Sequence, residues 1–295
     1  MKIVTHNAKF HTDDVFAVSA LTILYPDAEI IRTRDEELIK TADMVVDVGG
    51  VDDANSNRFD HHQAGGAGER ANSIPYSSLG LVWKKYGEKL SGSRAVMERI
   101  DQIFVQPIDA GDNGKDIFMT LVPNVSPYLI HGVVDSYRLT WKENDDWDER
   151  FSECLKWATN FLRRLIKIQQ DIVEGEDIVY SAYDKSVDKR IIIIDDKYSL
   201  GRELVTRVLT GLVEPLYAIL FRGDHKSWQL VAINKSAGSF ETRQPLPKTW
   251  RAKHGNDLDQ ASGVKGGIFC HRNGFMCAAE TKEAILELAK KALDA

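Results

Sequence analysis

Three short apolar runs near the start of the chain constrain its fold more than any other feature. They are Lys2–Thr5, Glu29–Arg32 and the run Met44-Val-Val-Asp-Val-Gly-Gly, which ends in a glycine turn. Helical patterns separate these runs, and the first helix has an apolar face that begins at Val15. Because strands that alternate with helices form parallel sheets, the sequence predicts an α/β fold. Its N-terminal domain is expected to have a mainly parallel sheet flanked by helices.

Polar side chains lie where these predicted strands end. His6 comes directly after the first run, and Asp47 lies in the third. Arg58–Asp60 is expected to supply a further strand end, which places His61 and His62 beside the same edge. Ligands bind at the carboxyl ends of parallel strands, so these side chains are expected to meet. Valines flank Asp47, so its carboxylate needs compensation, for which a metal ion is the simplest answer and a structural hydrogen bond the alternative.

Two other segments carry acids and imidazoles at high density. His11 and Asp13 lie where the first helix begins, although Asp13 and Asp14 also suit helix capping and the helix dipole. A later glycine-containing segment places Asp109 and Asp112 three residues apart in a predicted turn. The alternative interpretation of either acid alone is an ordinary surface turn residue.

These candidate ligands form a mixed set of imidazoles and carboxylates without cysteine. Such a set suits manganese, magnesium, iron or cobalt better than a structural thiolate zinc site. The candidates are too numerous for one ion, whereas two ions about 3.5–4 Å apart would use them all and would polarise a water for attack on phosphorus. We expect two divalent ions, with Mn²⁺ favoured and Mg²⁺ or Co²⁺ as alternatives. The candidates are His6, His11, Asp13, Asp47, His61, His62 and Asp109.

Length and pattern predict a second domain. A chain of 295 residues is too long for most single hydrophobic cores. A long helical stretch follows Asp148, and strand-like runs resume at Arg190. The expected organisation is a metal-binding catalytic domain over residues 1–147, a helical connector over 148–188, and a smaller C-terminal α/β substrate-binding domain over 189–295.

Composition narrows the class of protein. No apolar run approaches the roughly 18 residues of a membrane helix, and the N-terminus carries no targeting pattern, so we expect a cytoplasmic protein without membrane partners. Three widely spaced cysteines predict reduced, structural thiols. The formal net charge of −6 disfavours broad capture of a polyanion, so a nucleic acid would need metals or a local basic patch. Nothing indicates an oligomer.

The acid- and histidine-rich segments resemble the four metal motifs of the DHH phosphoesterase superfamily. Within it, the chain is similar to the melanocyte-proliferating-gene-one exonuclease branch, once labelled metal-dependent protein hydrolase. The similarity continues in Gly238-Ser-Phe-Glu-Thr-Arg-Gln-Pro-Leu-Pro-Lys-Thr-Trp-Arg and Gly267-Ile-Phe-Cys-His-Arg-Asn-Gly-Phe, and so covers nearly the whole chain. The four motifs are Thr5-His-Asn-Ala-Lys-Phe-His-Thr-Asp-Asp, Val46-Asp-Val-Gly-Gly, Phe59-Asp-His-His-Gln and Ile108-Asp-Ala-Gly-Asp-Asn-Gly.

The resemblance implies a role for each candidate residue. One metal ion would be held by His6, His11 and Asp47, with Asp47 bridging to the second ion. His62 would face the scissile phosphate, so His62 and Asp47 are the implied catalytic residues. The chain has His11 where the wider superfamily usually has an aspartate. The second ion would be held by Asp13, Asp47, His61 and Asp109.

The second domain is expected to supply substrate contacts. Its basic residues give a local positive surface on an otherwise acidic protein, although each alone is also consistent with a solvated surface charge. Backbone amides at the glycine pair can approach a phosphate closely. His271 lies in a matched run and is the contact we favour most. The predicted substrate-binding residues are His271, Arg243, Arg272, Gly266 and Gly267.

The resemblance implies a metal-dependent phosphodiesterase, a 3′–5′ exonuclease acting on single-stranded RNA by two-metal hydrolysis. The alternative enzyme cleaves short oligonucleotides, cyclic dinucleotides or other small phospho-compounds. Pyrophosphate is the weaker of these because the Ser-Arg-Lys-Lys-Gln motif of the pyrophosphatase branch is absent. A metal- or nucleotide-binding module without turnover is a further alternative. A protein hydrolase is disfavoured, since no H-E-x-x-H or nucleophile-elbow pattern occurs.

Overall fold

The structure, a computed structural model, covers residues 1–295 and contains two units, residues 1–170 and residues 171–295. The boundary falls within one helix of 39 residues, Trp147–Lys185, so each unit includes part of that helix. No helix of the protein combines the length and the apolar character that crossing a membrane requires. All three cysteines are buried free thiols.

The first unit is built on a five-stranded sheet with the order β2-β1-β3-β5-β4. Strands β2, β1, β3 and β5 are parallel, which confirms the predicted α/β fold. Strand β4 adds an antiparallel edge that the sequence did not reveal. The strands are β1 (Lys2–Thr5), β2 (Glu29–Arg32), β3 (Met44–Val46), β4 (Asp52–Asp53) and β5 (Arg58–Phe59).

Helices accompany this sheet, and one helical region is irregular. It is α-helical from Arg94 to Ile100, passes through a π-helical turn and continues as a further α-helix. Pro107 lies in the first turn of that last helix, directly after the π-helical turn. The helices are α1 (Thr12–Leu24), α2 (Glu36–Thr41), α3 (Ser78–Ser91), α4 (Arg94–Ile100), α5 (Gln106–Asp112), α6 (Ile130–Asp135) and α7 (Trp147–Lys185).

The core of the first unit is aromatic and aliphatic. Helix α1 is buried along most of its length, and its Phe16 ring meets Phe104 edge-on at 4.9 Å between centroids. Trp83 of α3 is fully buried and donates its indole N–H to the carbonyl of Met97 at 3.1 Å. Since the rings and the strands around them are immobilised by this packing, the loops after the strands start from fixed points.

The second unit has its own five-stranded sheet, with the order β6-β7-β8-β10-β9. Only β6 and β7 are parallel; the remaining pairs are antiparallel, and β9 and β10 form the hairpin predicted around Arg272. The elements are β6 (Ile191–Ile193), α8 (Arg202–Thr210), β7 (Tyr217–Arg222), β8 (Ser227–Ala232), α9 (Gly255–Ser262), β9 (Gly267–Cys270), β10 (Met276–Ala279) and α10 (Lys282–Leu293).

Both faces of this second sheet are covered. Tyr217 and Ile219 of β7 point into one core with α10, whereas Ala218 and Leu220 point into another with α8. Alternate residues of a strand face opposite sides of a sheet, so a strand buried on both faces must be apolar throughout. This explains why β7 is a nearly continuous apolar run rather than an alternating one.

Candidate metal centre

Strand ends of the first sheet bring the predicted polar residues to one edge. His6 follows β1, Asp47 follows β3, and Asp60, His61 and His62 follow β5. Because β1, β3 and β5 are parallel neighbours, their carboxyl ends lie side by side. The sheet topology thereby assembles side chains that are far apart in sequence.

Three groups of side chains at this edge can each hold a metal ion. Within each group the potential ligand atoms lie within 4.8 Å of one another. Asp47 belongs to two of the groups and His61 to two, so the three groups form one continuous centre. The groups are His6 with His11 and Asp47, Asp47 with His61 and His62, and Asp13 with His61 and Asp112.

Asp47 occupies the middle of the centre. Its Oδ2 lies 3.3 Å from Nε2 of His6, and its Oδ1 lies 3.4 Å from Nε2 of His61. Ser78 at the start of α3 donates its hydroxyl to Oδ1 at 2.9 Å. The backbone of Asp47 has φ of 56°, a left-handed conformation that costs a non-glycine residue about 1–2 kcal/mol. Such strain is typical of residues whose side-chain direction matters for function.

The two acids in the first turn of α1 have different environments. Asp14 accepts the His11 backbone N–H at 2.9 Å, which is the helix-capping role considered for both acids. Its other oxygen lies 3.0 Å from Nε2 of His6. Asp13 instead points towards His61, at 3.7 Å, and both carboxylates are fully buried. Capping therefore accounts for Asp14, whereas Asp13 contributes to the centre.

Asp109, a predicted ligand of the second ion, is surrounded by protein partners in the structure. It lies in α5 rather than in a turn, is fully buried, and belongs to none of the three groups. Ser77 donates to one of its oxygens at 2.5 Å and the Gly80 N–H to the same oxygen at 3.1 Å, while Arg70 pairs with the other oxygen at 2.7 Å. With both oxygens engaged, this carboxylate holds α3 and Arg70 in place.

Asp112, one helical turn further along α5, supplies the acid that the centre lacks. Its Oδ2 lies 3.2 Å from Nε2 of His61. The sequence assigned Asp109 as the ligand and left open whether Asp112 also contacts a metal ion. Packing distinguishes them, because Asp109 is fully buried among its own partners, whereas Asp112, at the end of the helix, is partly exposed and lines a cavity.

His61 and His62 differ in exposure. The His61 side chain is 10% exposed and that of His62 is 60% exposed. Asp60 fixes the second ring, since its Oδ1 lies 2.8 Å from Nδ1 of His62 and also accepts the His62 backbone N–H at 3.1 Å. The other Asp60 oxygen accepts the Gly50 N–H at 2.6 Å. A buried carboxylate thus orients an imidazole that faces open space.

The charge balance of the centre fits divalent cations. Burial and the neighbouring carboxylates of Asp47 and Asp112 raise the pKa of Asp13 well above its ordinary value. Burial lowers the pKa of His6, but the nearby carboxylates of Asp14 and Asp47 outweigh it and raise that pKa to about 10. Buried ligand atoms without a hydrogen-bond partner include Nε2 of His6, Oδ1 of Asp13 and Oδ2 of Asp47. Crowded carboxylates and unpartnered nitrogen and oxygen donors are what a hard or borderline metal ion requires.

Mn²⁺ is expected to raise the melting temperature of the protein, and to raise it more at about pH 8 than at about pH 6. His6 and Asp13 bind protons more tightly in the folded, metal-free protein than in the unfolded chain, so their protons compete with the ion. Each proton released on binding adds about 1.4 kcal/mol of stabilisation per pH unit. Differential scanning calorimetry with Mn²⁺ or a chelator at each pH measures the difference. A metal effect that is constant or falls with pH would contradict the expectation.

Three of the five predicted substrate contacts in the second unit are engaged internally, and Arg243 is the first of them. Arg243 donates to the carbonyls of Thr210, Val213 and Pro215, at 2.7 to 3.1 Å. It therefore holds the loop after α8 to the strand segment beyond β8. These hydrogen bonds occupy guanidinium N–H groups that the predicted contact to a phosphate would need.

The amides of Gly266 and Gly267 are also engaged, whereas His271 and Arg272 remain available to a ligand. The N–H groups of Gly266 and Gly267 donate to the carboxylate of Asp259 at 3.2 and 2.8 Å. His271 packs against Phe275, 4.3 Å between ring centroids, and Arg272 is exposed. Of the five predicted contacts, the structure leaves His271 and Arg272 as the available ones.

Two side chains at the centre carried no signal in the sequence. Arg34, two residues beyond β2, lines a cavity of about 250 Å³ together with His6, Asp47 and His62. His131 of α6 lines a second cavity of about 540 Å³. Neither residue belongs to a spaced motif, and only the tertiary structure brings them to the centre.

Comparison with known proteins gives a family match over nearly the whole chain. The family model MYG1_exonuc, described as "Uncharacterised protein family (UPF0160)", matches residues 2–293. A MYG1 protein of Caenorhabditis elegans is 31% identical over 99% of this chain and 95% of its own length. The human protein named MYG1 exonuclease is 29% identical over 99% of this chain and 85% of its own length.

One solved structure was also found to be similar. It is a pGpG-specific phosphodiesterase from Vibrio cholrae, aligned over 100% of this chain and 99% of its own, at 13% identity and a TM-score of 0.31. Similarity at that level supports no conclusion about fold or substrate.

Proposed function

The chain belongs to the MYG1 exonuclease family, and from this premise we propose that its metal centre hydrolyses phosphodiester bonds with two divalent ions. The family match confirms the resemblance to the melanocyte-proliferating-gene-one exonuclease branch. The enzyme is a hydrolase acting on phosphodiester bonds. We further propose Mn²⁺ as its ion and single-stranded RNA, degraded from the 3′ end, as its substrate.

The shared position of Asp47 carries the proposal. Its two oxygens face different histidines, Nε2 of His6 and Nε2 of His61, as a carboxylate that bridges two ions would. His11 completes the first ligand set. The bound ions would polarise a water and stabilise charge on the phosphate. The second proposed ligand set is Asp13, Asp47, His61 and Asp112, with Asp112 in the place first assigned to Asp109.

His62 is the proposed contact to the scissile phosphate. Its ring is exposed to the cavity while Asp60 holds Nδ1, so Nε2 is the nitrogen free to meet a ligand. A carboxylate on one ring nitrogen fixes the proton there and orients the other. In this role the chain itself binds and aligns the phosphate beside the metal ligands.

Hydrolysis of short oligonucleotides is the second candidate. It is favoured by the internal engagement of Arg243 and of the Gly266 and Gly267 amides, which leaves few donors for a long strand. The net charge of −6 also favours short substrates, because capture of long polyanions depends on a basic surface. Both candidates use the same metal centre and differ in substrate length.

The test is cleavage by purified protein with Mn²⁺ of end-labelled RNA, single-stranded DNA, a dinucleotide and pyrophosphate. We expect mononucleotides from RNA, shortened stepwise from the 3′ end, and no hydrolysis of pyrophosphate. Cleavage of the dinucleotide alone would select the second candidate. Absence of phosphodiester cleavage from all substrates, by protein shown to bind Mn²⁺, would contradict the proposed function.

A further inference from the structure

Arg34 is positioned as a ligand contact rather than as a structural arginine. It follows β2, the strand next to β1, and so lies at the same sheet edge as His6 and Asp47. Its neighbour Arg32 has structural partners, since it pairs with Asp148 at 2.5 Å and lies over the Phe151 ring. Arg34 has neither a hydrogen bond nor an ion pair, although carboxylates line its cavity.

The charge of Arg34 is unusual in its surroundings. Among the residues that line the 250 Å³ cavity, it is the single side chain with a permanent positive charge. Guanidinium groups bind phosphate oxygens through paired N–H donors, so an unpaired arginine beside a metal centre suits an anionic substrate. Because no protein partner competes for its donors, the guanidinium is available to that substrate.

A second, apolar cavity of about 600 Å³ adjoins the first one. Arg34, Val48 and Gly49 line both cavities, so the two are contiguous. The apolar wall comes from Ile39 of α2 and from Val45 and Val48, the latter two belonging to a small buried core. Gly49 forms the shared rim with φ of 93°, and an added Cβ there would lie 3.2 Å from the Ile39 side chain.

The cavity on the opposite side of the centre has a different lining. It is formed by polar and charged groups, including His131, Asn113 and Arg138, with no aliphatic side chain larger than that of threonine. This polar cavity shares His11 and His62 with the 250 Å³ cavity, which in turn adjoins the apolar one. The centre is therefore asymmetric, with an apolar recess on one side and a polar one on the other.

Resting on the proposed function, we propose that the apolar cavity binds the nucleobase of the nucleotide next to the scissile phosphate, and that Arg34 binds that phosphate. Nucleobases have apolar faces and polar edges, and such ligands occupy cavities of about 300–1,000 Å³ with few polar groups. Glu36 on the rim supplies an acceptor for the base edge, whereas Lys40 pairs with Glu37 at 2.9 Å and Arg58 donates to backbone carbonyls. The inference assigns substrate recognition to the first unit itself.

Binding of ligands without hydrolysis tests the assignment directly. Isothermal titration of the Mn²⁺-loaded protein with uridine and with uridine 5′-monophosphate is compared for wild type, Arg34→Met, Arg34→Lys and the exposed control Arg94→Met. We expect Arg34→Met to weaken monophosphate binding at least about tenfold, with partial recovery in Arg34→Lys, while uridine binding stays unchanged. Equal monophosphate affinity in Arg34→Met and wild type, or no uridine binding by wild type, would overturn it.

A second experiment fills the apolar cavity with a larger side chain. Val51 lies on its wall and is 48% exposed, so Val51→Trp is expected to block the base without touching the metal ligands. The matched control is Val187→Trp, at a fully exposed position. If Val51→Trp does not fold, Glu36→Trp on the α2 wall takes its place. The substrates are the p-nitrophenyl ester of uridine 5′-monophosphate and methyl p-nitrophenyl phosphate, which lacks a base.

We expect Val51→Trp to raise KM at least about tenfold for the uridine substrate and to leave kcat/KM for the methyl ester unchanged. An equal effect on both substrates, or none on either, would overturn the assignment of the cavity. Failure of the wild type to hydrolyse either substrate would contradict the proposed function instead, and the binding measurements would then decide the cavity alone.

Discussion

Asp47→Asn is expected to lower kcat for phosphodiester hydrolysis about 10³–10⁴-fold, which corresponds to roughly 4–5.5 kcal/mol of transition-state stabilisation. Asp47 is the one side chain placed between the His6 and His61 groups, with an oxygen directed at each. An amide oxygen is a weaker metal ligand and carries no charge to balance two cations, so both ions are affected. Steady-state kinetics with saturating Mn²⁺ measure the loss.

Folding must be separated from chemistry in this variant. Asparagine keeps the shape of Asp47 and tolerates its left-handed backbone better than most residues, so circular dichroism should match the wild type. Asp27→Asn, at an exposed turn, is the matched control and should keep full activity. Activity of Asp47→Asn within about tenfold of wild type would rule out a bridging role.

Asp112→Asn and Asp109→Asn are expected to separate catalysis from stability. Asp112→Asn should lower kcat about 10²–10³-fold with little change in the free energy of unfolding, because Asp112 is partly exposed and its close partner is His61. Asp109→Asn should instead destabilise the fold by about 2–4 kcal/mol, because it removes a buried partner of Arg70 and of two further donors. Urea denaturation and kinetics at saturating Mn²⁺ are measured for both.

Comparing the change in kcat with the change in the free energy of unfolding distinguishes a metal ligand from a structural carboxylate. At a temperature where both variants are folded, Asp109→Asn should keep a kcat near that of the wild type. Loss of bound Mn²⁺ in Asp109→Asn with unchanged stability would restore the sequence-based assignment and contradict the structural one. Equal losses of activity in both variants would indicate that α5 positions the centre as a whole.

The parallel sheet and its edge were predictable because the signals are local. A run such as Met44–Val46 followed by Asp47 and two glycines specifies a strand and its end without reference to the rest of the chain. Parallel pairing of β1, β2 and β3 then follows from the helices between them, whereas only β4 and a short turn separate β3 from β5. His6, Asp47 and His61 meet at one edge as a consequence of the strand order, and the sequence pattern predicted that shared edge.

The roles of Asp109, Arg243 and Arg34 were not predictable, for one physical reason. Each depends on which distant groups the side chain meets, such as Arg70 for Asp109 and the Pro215 carbonyl for Arg243. Two acids three residues apart look alike in sequence, yet packing buries one and turns the other to the cavity. An unpaired arginine is equally invisible, because lack of a partner is a property of tertiary structure.

The location of bound manganese tests the central claim most directly. Anomalous diffraction from crystals grown with Mn²⁺ is expected to show two ions about 3.5–4 Å apart. One should contact His6 and His11, the other should contact His61 and Asp112, and Asp47 should contact both. A single ion, ions bound away from Asp47, or a second ion held by Asp109 in place of Asp112 would contradict the account.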